Sequence, residues 1–248
     1  VGTDTVEITS TGNTVMTNVS GVETVLLSSA NTGTLTLSSG VTSITESNGG
    51  AQTITLGAAV SGLTANLGAG NDSITLANGT NSITTTNVET VTGGTGADTI
   101  TTTTAATLVG GAGADILNGM TGGNDVYVFT TLGGISTLSG MDTISVLETS
   151  DVIQLVDQGT ETGIGGGTVR VTAAATNVSL ASTLIEAANL ASTADGSTNS
   201  AVAWFQYGGN TYLVQDGSVS TSFVNGTDQI IKITGLVDLT TTGVIAFA

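Results

Sequence analysis

A glycine-bracketed aspartate recurs along this chain, and each recurrence demands a tight turn beside a short strand. The unit is complete at Gly93-Gly94-Thr95-Gly96-Ala97-Asp98-Thr99-Ile100-Thr101 and again at Gly110-Gly111-Ala112-Gly113-Ala114-Asp115-Ile116-Leu117-Asn118. Looser copies stand at Gly68-Ala69-Gly70-Asn71-Asp72, Gly122-Gly123-Asn124-Asp125 and Gly140-Met141-Asp142. The opening Gly2-Thr3-Asp4-Thr5-Val6 fits the second half of the same unit. This is the GGxGxDx-aliphatic-x nonapeptide of a parallel β-roll. The glycines allow a turn with positive φ that aims backbone carbonyls inward, and the aliphatic residue starts a strand that buries one side chain.

Two such half-turns make a coil, so about 18 residues bring the chain back above itself at the ~4.8 Å strand spacing. A cation between stacked turns then meets oxygens above and below at about 2.4 Å, the bond length of calcium, which accepts carbonyls beside carboxylates. Asp98 and Asp115 are separated by 17 residues, as are Asp125 and Asp142, while Asp115 and Asp125 are 10 apart. The spacing predicts Asp98 and Asp115 on one edge of the roll, with Asp125 and Asp142 on the other. Residues 102–109 cross without a glycine loop, so the opposite edge lacks a ligand set there. Met120 and Thr121 interrupt the next loop, and Leu138 replaces a glycine before Asp142.

Charge narrows the possible partners. The chain's 248 residues hold 19 acids against two bases, Arg170 and Lys232, for a net charge of −17. No basic patch can form, which excludes nucleic acid, and an anionic membrane would repel the chain unless calcium bridged the two. Hydrophobic residues at 39% argue against disorder, and bound cations would reconcile that content with the charge. Each base is expected to pair with a nearby carboxylate. There is no Cys, hence no disulfide, and nothing reads as a transmembrane helix or signal peptide. Millimolar external calcium suits such sites, and extracellular placement without disulfides or a signal peptide points to a bacterial export route other than the general one. The chain opens inside a repeat, so Val1 is not expected to be the natural N-terminus.

Aromatic residues divide the chain, since none precedes Tyr127. The expected architecture is all-β: a right-handed parallel β-solenoid with a calcium-binding β-roll and a small C-terminal β-rich cap containing one helix. Residues 1–92 read as a Thr/Ser/Gly-rich solenoid, 93–145 as the regular roll, and 146–248 as the cap. Val22-Glu23-Thr24-Val25 after Asp4 and Val88-Glu89-Thr90-Val91 after Asp72 mark a longer duplication, which makes Glu23 and Glu89 equivalent. Both are expected as solvated strand residues. In the cap, 179–192 reads as a helix with Leu180, Leu184, Ile185, Ala188 and Ala191 on one face. Thr183 and Glu186 resemble a capping box. That helix is expected to pack against the solenoid end. A hairpin, 201–207 and 211–215, and a final strand at 229–233 would cover that end, with Trp204 in the core.

The tandem nonapeptides resemble the RTX family of type I secreted bacterial proteins. Asp142-Thr143-Ile144-Ser145 followed by Asp151-Val152-Ile153-Gln154-Leu155 looks like the segment that often closes such rolls. Asp216 and the stretch Gly226-Thr227-Asp228-Gln229-Ile230-Ile231-Lys232-Ile233-Thr234-Gly235-Leu236-Val237-Asp238-Leu239 are similar to the C-terminal regions of RTX-type surface-layer proteins. The resemblance implies several calcium ions held by carbonyls of the first four nonapeptide positions and the carboxylate of the sixth. Here these are Gly93, Gly94, Thr95 and Gly96 with Asp98, and Gly110, Gly111, Ala112 and Gly113 with Asp115. Gly68, Gly70, Asp72, Gly122, Gly123, Asp125, Gly140, Asp142, Asp151 and Asp4 belong to the less complete copies. It also implies a secretion signal in the C-terminus, read by the type I machinery, and folding on meeting external calcium.

These features favour a structural surface-layer protein that assembles with copies of itself on the cell exterior. Contact with an envelope polysaccharide would fall to a missing N-terminal part. An extracellular adhesin and the tail domain of a secreted RTX enzyme are the alternatives. Catalysis within this chain is not expected, because without histidine neither a zinc protease nor a Ser-His-Asp hydrolase can be built. A carboxylate pair such as Glu148 and Glu161 is formally available for glycoside hydrolysis, though no motif selects it.

Overall fold

The computed structural model of the protein describes residues 2–16, 21–30, 32–37, 40–129, 136–155, 168–169, 177–192, 202–217, 220, 222–242 and 244–247. Arg170 and Glu161 lie outside these residues. Within them the chain is an all-β parallel solenoid with one short helix.

Strands alternate between two sheets as the chain coils. The first eight are β1 (Thr5–Ile8), β2 (Thr14–Val15), β3 (Thr24–Leu27), β4 (Thr34–Thr36), β5 (Ser43–Glu46), β6 (Thr53–Leu56), β7 (Leu63–Asn66) and β8 (Ser73–Thr75). Then follow β9 (Ser82–Thr86), β10 (Thr90–Thr92), β11 (Thr99–Thr102), β12 (Thr107–Val109), β13 (Ile116–Asn118), β14 (Val126–Phe129), β15 (Thr143–Ile144) and β16 (Val152–Leu155). Odd-numbered strands stack in parallel in the first sheet and even-numbered strands in the second. Both sheets cross residues 92 and 93 without a break, and β16 carries the second sheet past residue 145.

Alternation explains why such short pieces hold. In β6, Ile54 and Leu56 are buried while Thr53 and Thr55 face out. Register then stacks like on like: Ile83, Ile100, Leu117 and Ile144 align in the first sheet, facing Ile74, Val91, Leu108, Tyr127 and Ile153 in the second. All are buried. Each fully buried aliphatic side chain contributes about 1.5–3 kcal/mol, which compensates strands of only three or four residues.

The C-terminal part extends both sheets. After β17 (Thr168–Val169) and α1 (Leu184–Ser192) come β18 (Val202–Tyr207), β19 (Asn210–Gln215), β20 (Gln229–Ile233) and β21 (Val244–Phe247). β20 pairs in parallel with β15, and β21 in parallel with β16. The strand at 229–233 is therefore not the last one. The β18–β19 hairpin then closes the first sheet in antiparallel fashion. Its loop is Gly208-Gly209, both with positive φ (58° and 82°), as a two-residue turn matched to strand twist requires.

The helix is shorter than its apolar pattern predicts. Thr183 caps it: its Oγ1 accepts the Glu186 N–H at 3.3 Å, and the Glu186 carboxylate accepts the Thr183 N–H at 3.2 Å. Leu180 stays outside and is 93% exposed, and Ile185 also points to solvent. The buried face is Ala187, Ala188, Ala191 and Ser192, small enough to lie close on the hairpin. There it packs with Phe205, Tyr212, Val214 and Phe223, in a cluster separate from the main solenoid core, with Leu138 and Met141 packed beside it. Trp204 and Leu213, on the other face of the same hairpin, join the solenoid core.

Candidate functional site

One sequence position recurs at the two edges of the solenoid: the residue immediately before each strand. On the edge entering the first sheet it is Asp4, Glu23, Thr42, Gly62, Asn81, Asp98, Asp115 and Asp142. On the edge entering the second sheet it is Asn13, Gly33, Gln52, Asp72, Glu89, Ala106, Asp125 and Asp151. The register of the strands stacks these positions coil upon coil, and where the later residue is Asp or Glu, its side-chain oxygen accepts the backbone N–H of the one before. Asn81 N–H donates to Asp98 Oδ1, Asp98 N–H to Asp115 Oδ1 and Asp115 N–H to Asp142 Oδ1, each at 2.8 Å. On the other edge Gln52 N–H donates to Asp72 Oδ1 and Asp72 N–H to Glu89 Oε2, both at 2.6 Å. Ala106 N–H reaches Asp125 Oδ1 at 2.8 Å and Asp125 N–H reaches Asp151 Oδ1 at 3.0 Å. The oxygens thus satisfy amides that a strand edge would leave bare.

Asp142 therefore belongs with Asp98 and Asp115, not with Asp125. The 17-residue spacing from Asp125 misleads because this coil is longer in sequence than its neighbours, and Asp142 lies 27 residues past its true neighbour Asp115. Asp125 instead stacks with Asp151, 26 residues on. Glu23 and Glu89 are not solvated strand residues. Both are ladder members, Glu23 Oε2 accepting the Asp4 N–H at 2.9 Å as Glu89 does for Asp72.

The two full nonapeptides come together. Loops 93–98 and 110–115 sit one coil apart, joined by Gly96 N–H to the Ala112 oxygen at 2.6 Å and Ala112 N–H to the Gly94 oxygen at 3.0 Å. The closeness requires glycine. A Cβ on Gly113, whose φ is 145°, would fall 2.1 Å from the Gly96 oxygen, and one on Gly110 2.5 Å from Asp115 Oδ2. A third loop, 76–81, stacks on the far side, with Gly79 N–H donating to the Thr95 oxygen at 2.6 Å. Sequence reading missed this loop because Asn81 replaces the aspartate; its 17-residue offset from Asp98 was the available signal.

The other copies are arranged differently. Gly122 N–H donates to a Glu148 oxygen of the next coil, and Met120 N–H to Asp125 Oδ2 at 2.8 Å, so acids already hold the amides of this loop. Gly140 lies in a turn with Thr137, beside the Gly113 oxygen. Gly68 touches Glu46, whose Oε1 would be 1.9 Å from an added Cβ, and Gly70 lies beside Asp72 Oδ1. Asp4 is exposed at the first strand.

Burial raises the carboxyl pKa values of this ladder. Desolvation, with the neighbouring Asp98 charge, pushes Asp115 up to about 6. Desolvation and Asp115 push Asp142 to about 7. Asp72, Asp125 and Asp151 are also raised, chiefly by burial. Two oxygens stand out: Asp115 Oδ2 and Asp72 Oδ2 are buried and accept no hydrogen bond. Among the described residues no three acids converge on one point, so an ion held here must draw on backbone carbonyls as well. An all-oxygen, anionic setting of this kind suits a hard cation. Matched against family models and against curated proteins, the chain finds no counterpart.

Proposed function

We propose that this chain is the calcium-dependent structural solenoid of an RTX-type bacterial surface-layer protein, exported by a type I route and assembled with its own copies outside the cell. The observation that carries this reading is the pair of glycine loops at 93–98 and 110–115, stacked one coil apart beside the buried, unpartnered Asp115 Oδ2. Carbonyls of Gly93, Gly94, Thr95, Gly96, Gly110, Gly111, Ala112 and Gly113, with the Asp98 and Asp115 carboxylates, would hold calcium there. Asp142 extends the same edge. The loop of Gly122 and Gly123 with Asp125 and Asp151, and that of Gly68 and Gly70 with Asp72, are weaker candidates on the opposite edge, and Asp4 is weaker still.

Calcium supplies two positive charges to carboxylates that burial otherwise destabilises, so folding and ion binding become one event. At −17, copies repel one another until cations neutralise them. The sequence has no histidine for a zinc protease or a Ser-His-Asp hydrolase, and its repetitive Thr- and Ser-rich coils favour a structural role. The test is electron microscopy of the purified protein after calcium addition, against sodium at equal ionic strength. Ordered sheets support the lattice. A protein that folds with calcium yet stays monomeric at all concentrations contradicts it and leaves the adhesin reading.

A further inference from the structure

The outer face of the second sheet holds a cleft whose floor the calcium reading does not use. Its volume is about 560 Å³, within the range of small-ligand sites. Its floor is one residue from each of four successive coils, in strict register: Thr75, Thr92, Val109 and Val128. One side is built from the neighbouring glycine loops, with Asn78 and Thr95 among the residues that line it.

Three features select the occupant. No acid or base lines the cleft, although the molecule carries −17, so it suits an uncharged ligand. The floor offers two hydroxyls and then two isopropyl groups, and among the described residues neither the Thr75 nor the Thr92 hydroxyl is engaged in a hydrogen bond. The repeat along the floor is the coil rise of ~4.8 Å, so four coils span roughly 14 Å, the length of about three sugar residues. A raised loop wall admits a chain and hinders a flat crystal face. An extended peptide is disfavoured because its backbone pairs with sheet edges, and the strands under this floor are paired on both sides.

We propose that this cleft binds an uncharged, linear polysaccharide laid across the coils, its hydroxyls meeting Thr75 and Thr92 and its apolar ring faces lying on Val109 and Val128. The wall of this cleft is shared with the proposed calcium loops through Gly93, Gly94, Thr95, Gly111 and Ala112, while its floor, Thr75, Thr92, Val109 and Val128, belongs to no calcium ligand set.

Isothermal titration of the calcium-loaded protein with cellotetraose and chitotetraose, with glucose and polygalacturonate as comparisons, tests it. Binding of at least one tetrasaccharide, but not of glucose or the polyanion, is expected. A Thr75→Ala/Thr92→Ala variant should bind about tenfold more weakly, from two lost hydroxyl contacts. Val109→Glu should abolish binding. Circular dichroism and calcium-induced melting shifts of the variants, unchanged from the parent, separate loss of the cleft from loss of the fold. Absence of tetrasaccharide binding by folded parent protein overturns the proposal. So does binding that both variants retain, or a cleft whose only effect is self-association lost in Val109→Glu.

Discussion

The backbone N–H of Asp98 donates to Asp115 Oδ1 at 2.8 Å, while Oδ2 of the same Asp115 is buried and receives nothing. One oxygen thus caps the preceding coil and the other is left for a cation or a proton. The two roles can be separated by substitution.

Asp115→Asn keeps the capping oxygen and removes the charge, as Asn81 does naturally in its place on the ladder, where its Oδ1 accepts the Val60 N–H. The expected outcome is a chain at least as stable as the parent in chelator that gains little from calcium. Asp115→Ala also strands the Asp98 amide and should cost about 1–3 kcal/mol with or without the ion. Paired urea titrations, in calcium and in chelator, read both effects. A full calcium response in Asp115→Asn would remove Asp115 from the site.

Position along the ladder should matter. Asp4 is exposed and carries no glycine loop, so Asp4→Ala should lower the melting temperature in calcium by no more than a degree or two, given surface effects within ±0.5 kcal/mol. Asp115→Ala should lower it several-fold further. Equal losses would show the ion-binding region to be misplaced.

Without calcium, stability should depend on pH. The Asp115 and Asp142 carboxyls titrate at about 6 and about 7 when folded, against 3.8 as the ordinary value. Between these limits the folded state holds more protons than the unfolded one, so stability falls as pH rises from about 4 to about 7. A bound cation favours the charged forms and should flatten that slope. Melting curves across this range in chelator and in calcium decide the matter; parallel profiles would contradict coupling between ion and carboxylates.

Loop stacking gives a steric prediction. Gly113→Ala places a methyl 2.1 Å from the Gly96 oxygen at a φ of 145°, whereas Gly122→Ala has φ 82° and open space. Gly122→Ala should cost about 1 kcal/mol of backbone strain and Gly113→Ala clearly more, with weaker calcium binding. Calorimetry of the two variants compares them directly.

Much of the architecture was legible because its signals are local. Alternation in Ile54-Thr55-Leu56 marks a strand, and Gly-x-Asp before an aliphatic residue marks an edge, whatever the distant sequence does. Which edge a residue occupies is a sum over everything between two coils, so the longer run of 27 residues between Asp115 and Asp142 put the latter on the other edge from the one its spacing to Asp125 suggests. Glu23, Glu89 and Asn81 were hidden because ladder membership depends on an oxygen at the right height, which Asp, Asn and Glu all provide. The helix start was misplaced because Leu180 and Ile185 satisfy a periodicity that the cap at Thr183 cuts short. Tertiary contact then chose alanines for the buried face.

Calcium coupling is the central claim, and thermal unfolding followed by circular dichroism tests it most directly, in chelator, in magnesium and in calcium. Calcium at about a hundred times its dissociation constant adds about 2.7 kcal/mol per independent site, several degrees for a chain of this size. The expected result is weak or absent β-structure cooperativity in chelator, restored by calcium and poorly by magnesium, which demands a tighter octahedral shell. An identical spectrum and melting temperature in all three conditions would contradict it.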